Sequence, residues 1–168
     1  MSTFPQPQPS GYRGGQGPPQ RTVAFQRAPE LPSRLPESYL KKGYFDVQGN
    51  LLPELVTGEQ ILQVTRAIGQ KQGQAELKTA QLRRFYGKAK SIEQKLDSGH
   101  SFDSLRPELL TMQALAANTV ARGNASDIFK DFIDGNIALA SKDKDHFRKG
   151  FLVHFQSVVA YFSYLFRR

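Results

Sequence analysis

The sequence predicts an all-α protein: a five-helix bundle preceded by a short aromatic turn or hairpin and a disordered N-terminal tail. Three observations carry this. From residue 57 to the end, apolar residues recur at three- and four-residue spacing in five successive runs. Breaks built from Gly, Ser, Asn and Asp separate the runs. Eight of the ten prolines crowd into residues 1–36, where large aliphatic side chains are few.

Residues 1–36 cannot bury enough surface to offset chain entropy, so a disordered tail is expected there. Its four arginines against one glutamate leave +3 of the chain's +8. Tyr12-Arg13-Gly14-Gly15 resembles a fragment of an RGG-type RNA-binding tail, although a single copy is also what a flexible linker contains. Residues 37–56 read as an extended arm. Tyr44-Phe45 and Leu51-Leu52 flank Gly49-Asn50, a turn signal, and Pro53 discourages a helix before it. The arm is expected to fold its aromatics against the helices.

The bundle domain is expected over residues 57–168. Thr57-Gly58-Glu59-Gln60 fits a capping box and starts a first helix to about residue 68. Residues 70–74, QKQGQ, form a loop. In residues 78–96, KTAQLRRFYGKAKSIEQKL, Thr79 is the expected N-cap. There Leu82, Phe85, Ala89, Ile92 and Leu96 share one face, with Arg84, Lys88 and Lys95 opposite and Arg83 and Lys90 on a flank. Gly87 interrupts this helix and is expected to mark a close backbone approach. Ser104 and Pro107 open a third helix with Leu109, Met112, Ala116 and Val120 inside, closed by Gly123. Ser126 caps a fourth, packed through Ile128, Phe129, Phe132 and Ile133. Asp143 starts the fifth, with Phe147, Phe151, Val158, Phe162 and Leu165 in register. That helix is apolar nearly all round, which suits a central position or a subunit interface.

Charge and composition narrow the function. A net charge of +8 and a pI near 9.8 point to an anionic partner. Cationic side chains one helical turn apart suit a phosphate backbone, although a basic stripe is also an ordinary solvated surface. The absence of cysteine excludes disulfides and thiolate metal sites and fits a cytoplasmic location. The first residues lack the apolar core of a signal peptide. The longest apolar run, residues 151–166, is too short and too polar to span a bilayer, so no membrane partner is expected.

Catalytic motifs are missing: there is no GxxxxGK loop, GxSxG, HExxH or Glu-x-x-His pair. No enzyme activity, cofactor or metal is expected. His100 and His146 read as solvated, and His154 on the apolar stripe as a hydrogen-bonded core histidine. Arg122, just before Gly123, favours the negative end of its helix dipole. The helical wheel also turns it outward with Thr111 and Asn118, where it can meet a ligand.

Three stretches resemble the small helical subunit family of type III-A CRISPR effector complexes, the Csm complexes. They are GYFDVQGNLLPELVT (43–57), LKTAQLRRFYGKAKSIEQ (77–94) and FKDFIDGNIALASKDKDHFRKGFLVHFQSVVAYFSY (129–164). The resemblance implies a non-enzymatic five-helix bundle, several copies of which stack head to tail along the guide RNA–target RNA duplex. It implies as partners the CRISPR backbone subunits and the large polymerase-like subunit. It also implies contact with the target strand's sugar-phosphate through Arg83, Arg84, Lys88 and, at the end of the third helix, Arg122. Lys90 and Lys95, on the same basic helix, complete the expected RNA-binding set. The tail falls outside the resemblance. A stand-alone RNA-binding chaperone would show the same basic stripe, and a protein-binding adaptor would use the apolar last helix instead.

Overall fold

The five apolar runs become five helices. In a computed structural model, which describes residues 33–167, these are α1 (Glu59–Gly69), α2 (Thr79–Asp97), α3 (Phe102–Ala121), α4 (Asp127–Ala140) and α5 (Leu152–Leu165). The tail expected over residues 1–36 lies, up to residue 32, outside the described residues. Among the described residues there is no strand, only isolated bridges such as Phe45–Leu51.

The helices pack α5 against α1 and α2, α4 against α1 and α3, and α2 against α3. Each turns its apolar stripe inward, and the stripes meet in one aromatic-rich core. Phe85 of α2 meets Phe129 of α4 edge to face at 4.9 Å, and Phe132 meets Phe155 of α5 at 5.6 Å. Such perpendicular pairs set the positive edge of one ring against the negative face of the other. Val120 and Leu165, expected inside, are only partly buried. Within α5, Phe155, Val158 and Phe162 are buried, while Val153 and Tyr164 remain 38% and 61% exposed.

Several helix starts differ from expectation. The Thr57 capping box does not form. Gly58 takes φ +88°, a conformation open to glycine, and becomes the N-cap, while the Thr57 hydroxyl turns to that of Tyr161 at 3.3 Å. On α2 the N-cap is Lys78 rather than Thr79, because the Gln81 side chain reaches back to accept from the Lys78 amide at 2.8 Å. The start of α3 lies two residues before Ser104, since the Ser101 hydroxyl accepts from the Ser104 amide; Pro107 therefore sits inside the helix. Ser126 stands at the N-cap of α4, but its buried hydroxyl makes no hydrogen bond among the described residues. Asp143 does cap the last helical run, accepting from the His146 amide at 2.8 Å.

That run opens with a wide π-turn, His146–Phe151, before α5. Here the ring of Tyr44 lies against the backbone of Gly150, where a Cβ would overlap it. Gly69 is crowded in the same way by Phe166. Gly87, by contrast, has nothing within 4 Å of where a Cβ would stand, so the close approach expected there is absent. His146 is not simply solvated: it is half-buried, bonded to Asp143 at 2.8 Å, with the Phe45 ring edge-on at 5.3 Å.

The arm is a working part of the fold. Asp46 accepts from the amides of Gln48 and Asn50, which closes the expected turn and holds its carboxyl below the ordinary range. Beneath the arm, His154 is fully buried. Its Nδ1 lies 2.6 Å from the Leu55 carbonyl, which can only accept, so Nδ1 carries the proton. Nε2 then accepts from the Tyr39 hydroxyl at 2.7 Å. The Tyr39 oxygen accepts from the Asn136 amide at 2.7 Å, and Asn136 Oδ1 accepts from the Tyr44 hydroxyl at 2.9 Å. Every member has its partner, as burial of polar groups requires. His154 is thus the bonded core histidine expected. Burial pushes its pKa down to about 4 and raises those of Tyr39 and Tyr44.

Candidate nucleic-acid interface

Six cations were expected to face RNA, and the fold sorts them by what lies opposite. Helix α2 runs between α3 and α5. On its α5 side, Arg83 donates to the Ser163 hydroxyl at 3.3 Å, and Lys90 pairs with Glu93 one turn on. Glu93 lies 4.0 Å from Arg148, which also bonds Asp97 at 2.8 Å, so this flank is knit by its own carboxylates. On the α3 side, Lys95 donates to both oxygens of Glu108, at 2.7 and 2.9 Å.

Arg84 and Lys88 are exposed, with no ion pair among the described residues. Arg84 does not face directly away from the core. It borders α3 across a cleft of about 180 Å³, where Arg122 joins it. Phe85 and Leu115 form the apolar lining of this cleft. Gln81, Asn118, Thr119 and Asn124 supply polar groups, and no carboxylate lines it.

Local chain geometry fixes the far wall. Arg122 is the C-cap of α3, and Gly123 follows at φ +69°. The Gly123 amide donates to the Val120 carbonyl at 2.8 Å and that of Asn124 to Thr119 at 3.0 Å, the paired bonds of a Schellman motif. This turn holds Arg122 and Asn124 at the same cleft. Arg122 still complements the α3 dipole, as its position in the sequence suggests. The two roles are compatible, since its guanidinium has five donors. The sequence singles out Arg84 and Arg122, with Thr111 and Asn118 only as outward-facing neighbours of Arg122. Of these two, Asn118 lines the cleft and Thr111 does not, and Gln81 and Asn124 were missed. For Asn124 the signal was the glycine before it, which places the next residue at the helix end.

Larger clefts lie elsewhere: about 410 Å³ beside Leu77, Phe162 and Phe166, and about 460 Å³ beside Phe45 and His146. Neither gathers two unpaired guanidiniums. In the second, Lys149 is paired with Asp145 and His146 with Asp143. Among the described residues, no group of three or more His, Asp or Glu could hold a metal ion, and no helix is long and apolar enough to cross a membrane.

No curated protein sequence and no solved structure matches the chain significantly. A protein-family model does: that of Csm2 Type III-A, over residues 56–167, or 112 of the 168 positions. The match begins just before α1 and covers all five helices and the α2–α3 cleft. The chain therefore belongs to the Csm2 Type III-A family and is a small subunit of the type III-A CRISPR Csm complex.

Proposed function

We propose that the chain is a non-catalytic subunit that holds the target strand of the guide RNA–target RNA duplex by its sugar-phosphate backbone. Arg84 and Arg122 grip phosphate from two helices, and Lys88 adds charge one turn along. Copies stack head to tail, so that few contacts per copy sum to tight binding along the strand. They lie opposite the backbone subunits that hold the guide, and one end meets the large polymerase-like subunit. The observation that carries this reading is the convergence on one cleft of two guanidiniums, neither in an ion pair among the described residues, with no carboxylate among the described residues that line it. Guanidiniums match phosphate geometry with paired donors. Sequence is already read by base pairing, so a backbone grip suffices.

The test is capture of target RNA by the assembled complex as salt is varied. Arg84→Ala and Arg122→Ala should weaken capture about equally for every guide sequence. Each lost phosphate contact should shrink the slope of log affinity against log salt by roughly 0.7 to 0.9. Wild-type affinity and slope in the double variant would overturn the reading. Tight RNA binding by the isolated subunit would favour a stand-alone chaperone instead.

A further inference from the structure

We infer that the α2–α3 cleft also reads the ribose, through the side-chain amides of Asn118 and Asn124, and so makes the small subunit selective for RNA over DNA. The inference rests on the phosphate-binding reading and adds a specificity to it. Phosphate is common to both nucleic acids, so guanidiniums alone cannot tell them apart. The 2′-hydroxyl distinguishes them, and it both donates and accepts. A side-chain amide also does both, whereas arginine and lysine only donate.

The cleft places such groups beside the cations. Asn118, on α3, is exposed, and its side chain makes no hydrogen bond among the described residues. Asn124 uses its backbone amide in the Schellman turn, and its side chain makes no hydrogen bond among the described residues. The remaining polar groups are partly committed. Gln81 Oε1 accepts from the Lys78 amide, and the Thr119 hydroxyl donates to the Leu115 carbonyl at 2.7 Å. The two asparagines therefore retain full donor and acceptor capacity next to Arg84 and Arg122. The turn that positions Asn124 is made by backbone atoms, and Asn118 is exposed on α3, so neither side chain is buried in the core.

The experiment uses the assembled complex and target RNAs carrying one 2′-deoxy nucleotide, moved along the strand a position at a time. With wild-type subunit, substitution at recurring positions should weaken capture about 3- to 10-fold, the worth of one hydrogen bond. With Asn118→Ala/Asn124→Ala the ratio of ribose to deoxyribose affinity at those positions should fall to about 1. With Arg84→Ala/Arg122→Ala both affinities should drop together and the ratio persist. If the asparagine variant keeps the wild-type ratio, or no position shows one, the ribose inference fails while the phosphate reading stands. If the arginine variant leaves affinity and salt slope unchanged, the phosphate reading fails, and the ribose ratio is still read from the asparagine variant alone.

Discussion

The polar network beneath the arm and the polar cleft between α2 and α3 use the same kinds of side chain to opposite ends. Under the arm, half-buried Tyr39 and fully buried Tyr44, Asn136 and His154 are paired with one another or with carbonyls. In the cleft, Arg84, Arg122, Asn118 and Asn124 are exposed, and their side chains make no hydrogen bond among the described residues. A satisfied, desolvated network stabilises one structure, and any partner it loses leaves a costly orphan. An open cluster contributes little to folding but keeps its interactions available for a ligand. Changes under the arm should therefore appear in stability, and changes in the cleft should appear in binding.

The largest effect expected concerns His154 and pH. Its folded pKa is about 4, against an ordinary 6.5. Between those values the unfolded chain binds a proton that the folded chain refuses, so stability falls as pH drops. The neutral-histidine contribution is complete above pH 6.5 and lost progressively toward pH 4, about 3 kcal/mol in all. Urea unfolding at several pH values measures it. A His154→Gln variant that keeps the fold should lose this slope. A flat wild-type profile between pH 6.5 and 4.5 would show that the buried imidazole is not what titrates.

Next comes Tyr39→Phe. Removing one hydroxyl leaves His154 Nε2 without a donor and takes one acceptor from the Asn136 amide, which still reaches the Phe132 carbonyl at 2.7 Å. One orphaned buried acceptor predicts a loss of about 2 kcal/mol, read in the same unfolding assay, with RNA capture by the folded protein unchanged. A neutral result would mean that water enters beneath the arm and replaces the hydroxyl.

Much of this was legible in the sequence, because it is local. Helical spacing marked the buried positions of α2 and α4, and Gly123 marked the end of α3. His154 was readable as a core histidine from its place on an apolar stripe. Its partners were not: Tyr39 lies 115 positions away, and no periodicity connects an arm to a helix that far along the chain. Glycines misled for the same reason. Gly87 interrupts a strong helix pattern and drew attention, yet it faces open space. Gly150 sits between Arg148-Lys149 and the start of an apolar run, where nothing in the sequence singles it out, and only the fold brings Tyr44 onto it. In the cleft, Arg84 and Arg122 could each be singled out, but their meeting depends on how α2 packs against α3. The sequence likewise shows charges but not pairs across helices, so Lys95 resembled Arg84 until α3 brought Glu108 to it.

The smallest effects expected are at Lys90 and Lys95, and they set the cleft's cations apart from the rest of α2. Both lysines are partly exposed and already paired, Lys90 with Glu93 and Lys95 with Glu108. Exposed pairs of this kind contribute about 0.2–1 kcal/mol. Lys90→Ala or Lys95→Ala should therefore cost less than Tyr39→Phe in unfolding. Binding phosphate through either lysine would first require separating it from its carboxylate, and that carboxylate would then repel the strand. A lysine that stays paired with its carboxylate neutralises no phosphate and so releases no counterion from the strand. The slope of log affinity against log salt should thus stay at the wild-type value in both variants, while Arg84→Ala lowers it by roughly 0.7 to 0.9. If Lys95→Ala lowers the slope as much as Arg84→Ala does, Glu108 yields its partner when RNA arrives. The contact surface would then run the length of the α2–α3 flank rather than end at the cleft.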